Sequence, residues 1–237
     1  MPPRSKHILI VQNGATDSAI ASQHGSYPDW FETKIAAHGC TATVVQAFDG
    51  TPLPALDALD VDGVILTGSP LSVVDRAPWM LRMGAWALEV AQSGTPVLAV
   101  CFGHQAVGEV LGGHVRASPM GREYGTITLT LTEAGRAHPI FARMPGAPRM
   151  QSVHGDALTV PPEGATLLAS TAHTKWQAFS VGPLLTAVQF HPELHPDTLR
   201  DLCRLRKTPA EVTDDDHGGQ LLANWVHTIA PPNSPLR

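Results

Sequence analysis

The 237-residue chain is poor in cysteine, carries no excess of positive charge and contains no long hydrophobic run. Its three cysteines, Cys40, Cys101 and Cys203, lie far apart and form no Cys-x-x-Cys pair, which argues against a disulfide scaffold and a thiolate metal site. The formal net charge of −5 argues against general nucleic-acid binding, because such a surface needs clustered lysine and arginine. We therefore expect a small-molecule substrate or a protein partner, and no nucleic acid.

The sequence pattern also lacks a secretory signal and a membrane segment. The N-terminal run MPPRSKHILIVQNG passes from Lys6 directly into a strand pattern, without the apolar region of a signal peptide. No window approaches the length of a membrane span. These features predict a reduced, cytoplasmic protein with no membrane contact.

Twelve histidines raise the question of a bound metal. His191 and His195 are four residues apart, but Pro192 and Pro196 disfavour one continuous helix through both, and the order is not His-Glu-x-x-His. Most of the other histidines are isolated in the sequence. We expect neither a metal nor another cofactor.

The first half of the chain alternates strand and helix patterns. Apolar and β-branched runs predict strands at 7–12, 41–48, 62–67 and 97–100. Helical spacing predicts three helices that end at Gly39, Gly94 and Gly112, whereas 15–27 and 51–60 are predicted to be loops, the second with one helical turn. Such alternation is typical of a parallel sheet with right-handed crossovers.

Short strand patterns separated by glycine and proline dominate after Gly113. They lie at 115–118, 126–131, 166–170, 177–181 and 185–191. Several of them alternate polar and apolar residues, which predicts an antiparallel extension of the sheet. Two helical patterns follow, one around Leu199 and one around Trp225, with a solvated loop at 214–216 between them.

Together these patterns predict a single α/β domain over residues 1–237, with flexible ends at about 1–6 and 231–237. No polar or proline-rich linker divides the alternating pattern. The expected architecture has three layers, with a flavodoxin-like, mostly parallel central sheet and an antiparallel extension.

Cys101 lies where a buried strand pattern changes into a helical one after Gly103. Only Cys101 and Phe102 remain for the turn, so we expect the thiol on a sharp strand-to-helix corner, the nucleophile-elbow arrangement. A helix start presents unpaired N–H groups and the positive end of its dipole, which favours a thiolate. The alternative is a buried structural cysteine, the interpretation we give to Cys40 and Cys203.

A thiol nucleophile needs a base and a group that orients this base, and the segment Gln189-Phe190-His191-Pro192-Glu193 contains both types. If the predicted strand continues through His191, then His191 and Glu193 point to the same side of the sheet. Glu193 would then hold the imidazole while the second ring nitrogen faces the thiol. Alternatively, His191 caps the strand and Glu193 is a surface charge.

The oxyanion that forms when a thiolate attacks an amide carbonyl needs fixed hydrogen-bond donors. The backbone N–H of Phe102, at the predicted corner, is one candidate. Gly68 is the other, because it follows the predicted strand at 62–67 and ligands of open parallel sheets bind at the carboxyl ends of strands. The competing interpretation of Gly68-Ser69-Pro70 is an ordinary turn.

Four segments of the chain resemble motifs of the class I glutamine amidotransferases. They are Leu66-Thr67-Gly68-Ser69-Pro70 with Ser72-Val73, Ala99-Val100-Cys101-Phe102-Gly103-His104-Gln105, His154-Gly155-Asp156 and Gln189-Phe190-His191-Pro192-Glu193. The resemblance is greatest to stand-alone proteins similar to the glutaminase domain of GMP synthase, and it covers nearly the whole chain. It implies a cysteine-dependent hydrolysis of a γ-glutamyl amide.

The resemblance also implies roles for individual residues. Cys101 would be the nucleophile that forms a γ-glutamyl thioester, His191 the general acid and base, and Glu193 the partner that orients His191. The backbone N–H groups of Gly68 and Phe102 would form the oxyanion hole.

A substrate pocket beside the nucleophile is implied as well. Gln105 matches the position that helps to hold the amino-acid end of the substrate, and His154 and Asp156 match a loop that lines the same pocket. The implied substrate is glutamine or another γ-glutamyl compound. Because no acceptor domain fits in the remaining chain, an ammonia-accepting synthase would be a separate protein.

The chain departs from the family pattern at three positions. Ala99 stands where a glycine usually precedes the cysteine by two residues, and Ser69 replaces a second glycine of the oxyanion loop. Val153 stands where the GMP-synthase type usually has serine before His-Gly-Asp, with Ser152 one position earlier. The third departure weakens the case for glutamine itself against another γ-glutamyl compound.

Three kinds of function follow from these observations. The first is hydrolysis of a γ-glutamyl amide, either by a glutaminase that passes ammonia to a synthase or by a γ-glutamyl peptide hydrolase. The second is a redox-sensing or protein-handling module with a reactive cysteine on a similar sheet. The third is a catalytically silent relative. Gln105 and the His191-Pro192-Glu193 segment favour the first, because a redox sensor does not need them.

Overall fold

The computed structural model describes residues 4–229. Residues 1–3 and 230–237 lie outside the described part, and they include most of the segments predicted to be flexible as well as the predicted tail at Pro231. The first strand already begins at Lys6. Within residues 4–229 no helix has the length and apolar character needed to cross a membrane.

Strands and helices alternate through the first half of the chain, and strands dominate the second half. The strands are β1 (Lys6–Gln12), β2 (Cys40–Gln46), β3 (Gly63–Leu66), β4 (Val97–Val100), β5 (His114–Ala117), β6 (Glu123–Thr128), β7 (Thr130–Leu131), β8 (Arg149–His154), β9 (Asp156–Val160), β10 (Thr166–Ser170), β11 (Ala178–Val181) and β12 (Leu185–Val188). The α-helices are α1 (Ser18–His24), α2 (Tyr27–Ala36), α3 (Pro78–Gln92), α4 (Phe102–Val110), α5 (Glu133–Ala137), α6 (Pro196–Leu205) and α7 (Gly218–Thr228). Single 3₁₀ turns lie at Leu56–Ala58, Val73–Asp75 and Pro139–Phe141.

A central sheet of eight strands has the order β2-β1-β3-β4-β12-β11-β10-β7. The pairs from β2 to β12 are parallel, and β11, β10 and β7 add antiparallel pairs at one side. The pairs β5-β9 and β6-β8 form two small antiparallel sheets of their own. The predicted α/β class with a mostly parallel sheet and an antiparallel extension is confirmed.

The central sheet separates two hydrophobic cores. Ile8 and Ile10 of β1 belong to the core that α2 and α7 cover, whereas Leu9 and Val11 belong to the core that α3 and α4 cover. Successive side chains of a strand point to opposite faces, so a strand that is covered on both faces is hydrophobic throughout. The molecule therefore has the three layers that the sequence pattern predicts.

The prediction of a loop at 15–27 is wrong, because this segment contains α1 and the beginning of α2. The side chain of Asp17 accepts a hydrogen bond from the N–H of Ala19 and caps α1. Ile20 is the buried residue of this helix, so the segment has no apolar periodicity that could reveal it.

Some predictions in the strand-rich half also need correction. The strand predicted at 126–131 is two strands, since β6 pairs with β8 in a small sheet and β7 joins the central sheet. The strand predicted at 185–191 ends at Val188. The strands β8 and β9 and the helix α5 were not predicted, because they carry no sustained apolar alternation or helical spacing.

Candidate active site

Cys101 occupies the corner between β4 and α4, as the sequence predicts for an elbow. Its backbone has φ 50° and ψ −98°, a conformation that side-chain-bearing residues rarely adopt and that costs about 1–3 kcal/mol. The N–H of Cys101 donates to the carbonyl of Val188 at 2.8 Å, so the pairing of β4 with β12 continues to the corner. The side chain is buried, and Cys101 immediately precedes the first turn of α4. Its position places sulfur at the positive end of the helix dipole.

The corner packs directly against the end of β3. A Cβ at Gly103 would lie 2.6 Å from Cβ of Leu66, so only glycine permits the first turn of α4 to approach this strand so closely. Gly68 follows two residues after Leu66. The loop after β3 and the start of α4, which carry the two predicted oxyanion donors, therefore lie at the same edge of the sheet.

Gln189 is the polar side chain that contacts the sulfur of Cys101. The register of β4 and β12 pairs Val100 with Val188, so the next residues, Cys101 and Gln189, are neighbours. Nε2 of Gln189 donates to Sγ of Cys101 at 3.6 Å, and Oε1 of Gln189 accepts from Nε2 of Gln105 at 3.1 Å. Gln189 is fully buried, so this orientation is fixed by packing.

His191 and Glu193 form a buried pair. Nδ1 of His191 lies 2.6 Å from Oε1 of Glu193, and the two residues are 2% and 1% exposed. Because β12 ends at Val188, this contact comes from a turn and not from strand alternation. The turn is held by two bonds, from the N–H of His191 to the carbonyl of Gln151 and from Nζ of Lys34 to the carbonyl of Pro192, both at 2.8 Å.

The second ring nitrogen of His191 is available for chemistry. Burial lowers the pKa of His191, but the neighbouring Glu193 and Cys101 outweigh this effect and raise it to about 10. Nε2 has no hydrogen-bond partner among the described residues. The cysteine is thus close enough to influence the imidazole, although the thiol and the ring do not form a hydrogen bond in this geometry. Such contacts often tighten only when substrate binds.

Gly68 lies against the ring of His191. A Cβ at this position would be 2.7 Å from Cε1 of His191 and 3.4 Å from Cε1 of Tyr27. Any larger residue would displace the ring, so the glycine is required by close approach. Of the two predicted oxyanion donors, Gly68 therefore lies beside the candidate base His191, and Phe102 lies beside the candidate nucleophile Cys101.

A pocket of about 190 Å³ opens beside the corner. Its lining residues are Ser69, Pro70, Leu71, Ser72, Cys101, Phe102, Gln105, Arg122, Tyr124, Val153, His154, Gly155, Asp156 and Arg206. It includes all three predicted substrate-binding residues and the candidate nucleophile, Cys101. His191 and Glu193 are not among its lining residues, since both are buried behind it.

Two predicted pocket residues are fixed by hydrogen bonds. Nε2 of Gln105 donates to the carbonyl of Asp156 at 2.9 Å, which ties α4 to the start of β9. The carboxylate of Asp156 accepts from Oγ of Ser72 at 2.6 Å. Ser72 follows the proposed oxyanion loop, so one side of the pocket is built from three separate segments.

His154 makes two polar contacts in this geometry. Nε2 lies 2.8 Å from a carboxylate oxygen of Glu123, and Nδ1 lies 3.0 Å from the carbonyl of Asp156. Burial raises the pKa of Glu123, but hydrogen bonds and charge from His154 outweigh it and lower the pKa. Both ring nitrogens of His154 are therefore occupied, which fixes the ring between Glu123 of β6 and the start of β9.

The sequence analysis missed several residues of this site. Gln189 stands inside a motif, but the motif implies no role for it, and nothing in the sequence connects Glu123 with His154. Arg122 and Arg206 line the pocket although they are far apart in the sequence and carry no motif. No three His, Cys, Asp or Glu side chains between residues 4 and 229 come together as a possible metal site.

Comparison with known proteins shows which family the sequence matches. Residues 22–202 match the family model described as Glutamine amidotransferase class-I. The chain is 38% identical to the glutamine-hydrolysing GMP synthase of Thermomicrobium roseum over 61% of this chain and 25% of that protein. It is 26% identical to gamma-glutamyl peptidase 3 of Arabidopsis thaliana, over 77% of this chain and 75% of that protein.

The fold is shared with solved structures. The crystal structure of a glutamine amido transferase from Methylobacillus flagellatus aligns with a TM-score of 0.75 at 20% identity, covering 98% of both chains. At this identity the likeness concerns the fold alone. The chain spans a quarter of the length of the Thermomicrobium GMP synthase, as its 25% coverage of that protein shows.

Proposed function

The chain belongs to the class I glutamine amidotransferase family, and from this membership we propose that it hydrolyses a γ-glutamyl amide through a thioester on Cys101. The observation that carries the proposal is the buried pair of His191 and Glu193, 2.6 Å apart, beside a cysteine on a strained corner. A pocket with polar side chains opens at that cysteine.

In the proposed first half-reaction, His191 takes the proton of the Cys101 thiol, and Sγ attacks the γ-carbonyl carbon and forms a C–S bond. The backbone N–H groups of Gly68 and Phe102 are the proposed donors to the resulting oxyanion. Collapse of this intermediate breaks the C–N bond, and His191 gives a proton to the leaving amine. Glu193 keeps Nδ1 of the imidazole occupied, so Nε2 carries the transferred proton.

In the second half-reaction, water attacks the thioester carbonyl and His191 takes one of its protons. The C–S bond breaks, the sulfur recovers its proton, and glutamate leaves. The products are glutamate and the free amine, which is ammonia when the substrate is glutamine. A synthase on another chain would then accept this ammonia, whereas a peptide hydrolase would release an amino acid or peptide.

The residues of the pocket support recognition of the glutamyl group. The carboxylate of Asp156 and the amide oxygen of Gln105 suit the α-amino group, and His154 holds the loop in place through the contacts of its two ring nitrogens with Glu123 and Asp156. The bond from Gln105 to Asp156 at 2.9 Å positions both of them on the same side of Cys101. This assignment leaves the opposite side for the leaving amine.

The test of the proposal is hydrolysis by the purified protein of glutamine and of a panel of γ-glutamyl amides, with glutamate and amine measured. We expect Cys101→Ser to lose at least a thousand-fold in kcat, as in other nucleophile replacements. Cys203→Ser is the matched control, because Cys203 is similarly buried at 7% exposure and lies outside the pocket. Wild-type activity of Cys101→Ser would refute the mechanism.

A glutamine-analogue chloroketone separates this proposal from a redox sensor. We expect it to alkylate Cys101 selectively, with displacement of chloride, and to spare Cys40 and Cys203, which are buried away from the pocket. Fast oxidation of Cys101 by peroxide without any reaction with the chloroketone would favour the sensor.

A further inference from the structure

Two arginines face the candidate active site without a carboxylate partner. Arg122 and Arg206 both line the pocket that contains Cys101. Neither of them takes part in an ion pair within the described part of the chain. Their hydrogen bonds go to neutral oxygens: Arg206 donates to Oη of Tyr124 at 2.9 Å, and Arg122 donates to Oγ1 of Thr208 at 3.2 Å.

Tyr124 joins the two arginines into one surface, which we name the arginine wall (Arg122, Tyr124 and Arg206). Cζ of Arg122 lies 6.0 Å from the centroid of the Tyr124 ring, at the range of a cation–π contact. Arg206 is held at the phenol oxygen of the same ring. Both arginines are exposed at the pocket. Each guanidinium uses one N–H in these hydrogen bonds, so its other N–H groups remain available as donors.

The charge of the pocket is positive although the whole chain is acidic, with a net charge of −5. Asp156 is the only carboxylate among the described residues that line the pocket, and the proposed function assigns it to the α-amino group of the glutamyl part. The arginine wall is thus the part of the pocket with unsatisfied charge. Paired guanidinium groups are suited to carboxylates, which accept two parallel hydrogen bonds from such donors.

Arg206 of the arginine wall lies on the side of the pocket near Tyr27. It is within electrostatic range of Cys101 and of the Tyr27 phenol, whose raised pKa keeps it neutral. Tyr27 in turn contacts the position of Gly68 beside the ring of His191. Because His191 protonates the leaving amine in the proposed mechanism, this is the side on which that amine departs.

Val153 lies beside the arginine wall. Tyr124 of β6 pairs directly with Val153 of β8, and both line the pocket. This Val153 is the residue at which the sequence departs from the serine of the GMP-synthase type. One apolar side chain beside two cationic ones suits an amino-acid residue whose side chain is small and apolar and whose carboxylate is free.

We propose, on the basis of the proposed function above, that Arg122 and Arg206 bind a carboxylate on the amine portion of the substrate. The substrate class is then a γ-glutamyl amino acid or peptide with a free carboxylate, and glutamine is a poorer substrate because its leaving group is ammonia. The γ-glutamyl C–N bond breaks as described, His191 supplies the proton, and the amino acid leaves with its carboxylate still bound to the arginines.

The experiment compares two substrates that differ only in this charge, γ-glutamyl-alanine and γ-glutamyl-alaninamide. Wild-type protein is expected to show a kcat/KM about ten-fold higher for the acid, the size of one charge-assisted hydrogen bond at a partly exposed site. In Arg206→Gln and Arg122→Gln this ratio should fall toward one. Arg82→Gln is the control, since Arg82 is an exposed arginine of α3 outside this pocket, and it should keep the wild-type ratio.

The outcomes separate this inference from the proposed function. If the protein hydrolyses both substrates with equal kcat/KM, the arginine wall does not bind the carboxylate of the substrate. The proposed hydrolysis of γ-glutamyl amides is still supported in that case. If either arginine variant loses activity equally on both substrates and keeps the wild-type ratio, the role of that arginine is overturned in the same way. If no γ-glutamyl amide is hydrolysed, the proposed function fails and this inference fails with it.

Discussion

Replacement of Glu193 by glutamine tests the buried His191–Glu193 pair most directly. Glutamine keeps the size of the side chain and can keep an oxygen near Nδ1 of His191, where Oε1 of Glu193 now lies at 2.6 Å. The substitution therefore removes charge with little change of shape. Both residues are buried, so water does not replace the lost carboxylate.

The expected magnitude follows from the pKa of His191. Burial lowers this pKa, and Glu193 with Cys101 raises it to about 10. Without the carboxylate the pKa falls toward or below the ordinary value of about 6.5, at which only about 3% of the imidazole is protonated at pH 8. The lost protonation alone costs about thirty-fold at pH 8, and poorer orientation of the ring brings the total to roughly 10²–10⁴-fold in kcat.

The assay is the pH profile of amide hydrolysis from pH 6 to 10. In the wild type the protonated imidazole persists until the pH rises through about 10, whereas in Glu193→Gln it is lost near pH 6.5 or below. The ratio of wild-type to variant activity should therefore grow with pH. By the same linkage, the wild type should lose folding stability relative to the variant between pH 7 and 10, since His191 stabilises the fold only while protonated.

Glu89→Gln provides the matched control, because Glu89 is exposed on α3 and lies away from the pocket. Thermal unfolding of each variant verifies that the fold is retained. A ratio of wild-type to Glu193→Gln activity that stays constant across this pH range would refute the electrostatic reasoning. A ratio of one would refute any role of Glu193 in catalysis.

Two further substitutions test the geometry around Cys101, the proposed nucleophile. In the amide-hydrolysis assay, Gly68→Ala should lower kcat/KM at least a hundred-fold, because the added Cβ would lie 2.7 Å from Cε1 of His191. Gly146→Ala is the control and should behave like the wild type, since its added Cβ would have no atom within 4 Å. Gln189→Leu should slow alkylation of Cys101 by iodoacetamide at pH 7 and lower kcat about ten-fold, since it removes the donor 3.6 Å from Sγ. Alkylation at the wild-type rate would show that this hydrogen bond does not activate the sulfur.

The part of the fold that sequence predicts is the part where burial is complete. The parallel strands β1, β3 and β4 are covered on both faces, so each appears in the sequence as a continuous apolar run. Helix α1 was missed because it rests on a capping aspartate and one buried isoleucine, which leave no periodic signal. The division of 126–131 between two sheets depends on strand partners distant in sequence, and periodicity carries no information on partners.

The candidate site likewise has a part that the sequence predicts and a part that it does not. The corner at Cys101 could be predicted because a strand pattern and a helix pattern meet with only two residues between them. Glu123 and His154 are 31 positions apart and meet because β6 pairs with β8. Arg206 and Tyr124 of the arginine wall are 82 positions apart and meet through a tertiary contact. The sequence shows these side chains only as scattered polar residues.

The geometry of the candidate base depends on helices that lie outside the motif. Sequence reasoning derived the proximity of His191 and Glu193 from an extended strand, yet the strand ends at Val188 and a turn brings the two side chains together. That turn is fixed by Lys34 of α2, which donates to the carbonyl of Pro192 at 2.8 Å. Burial lowers the pKa of Lys34, and the nearby charges of Asp216 and Glu193 partly restore it, so the ammonium lies in a setting that favours its charge beside the turn. The orientation of the base is therefore a property of how α2 packs beside the sheet, and a motif search that finds His-Pro-Glu identifies the chemistry without the contact that aligns it.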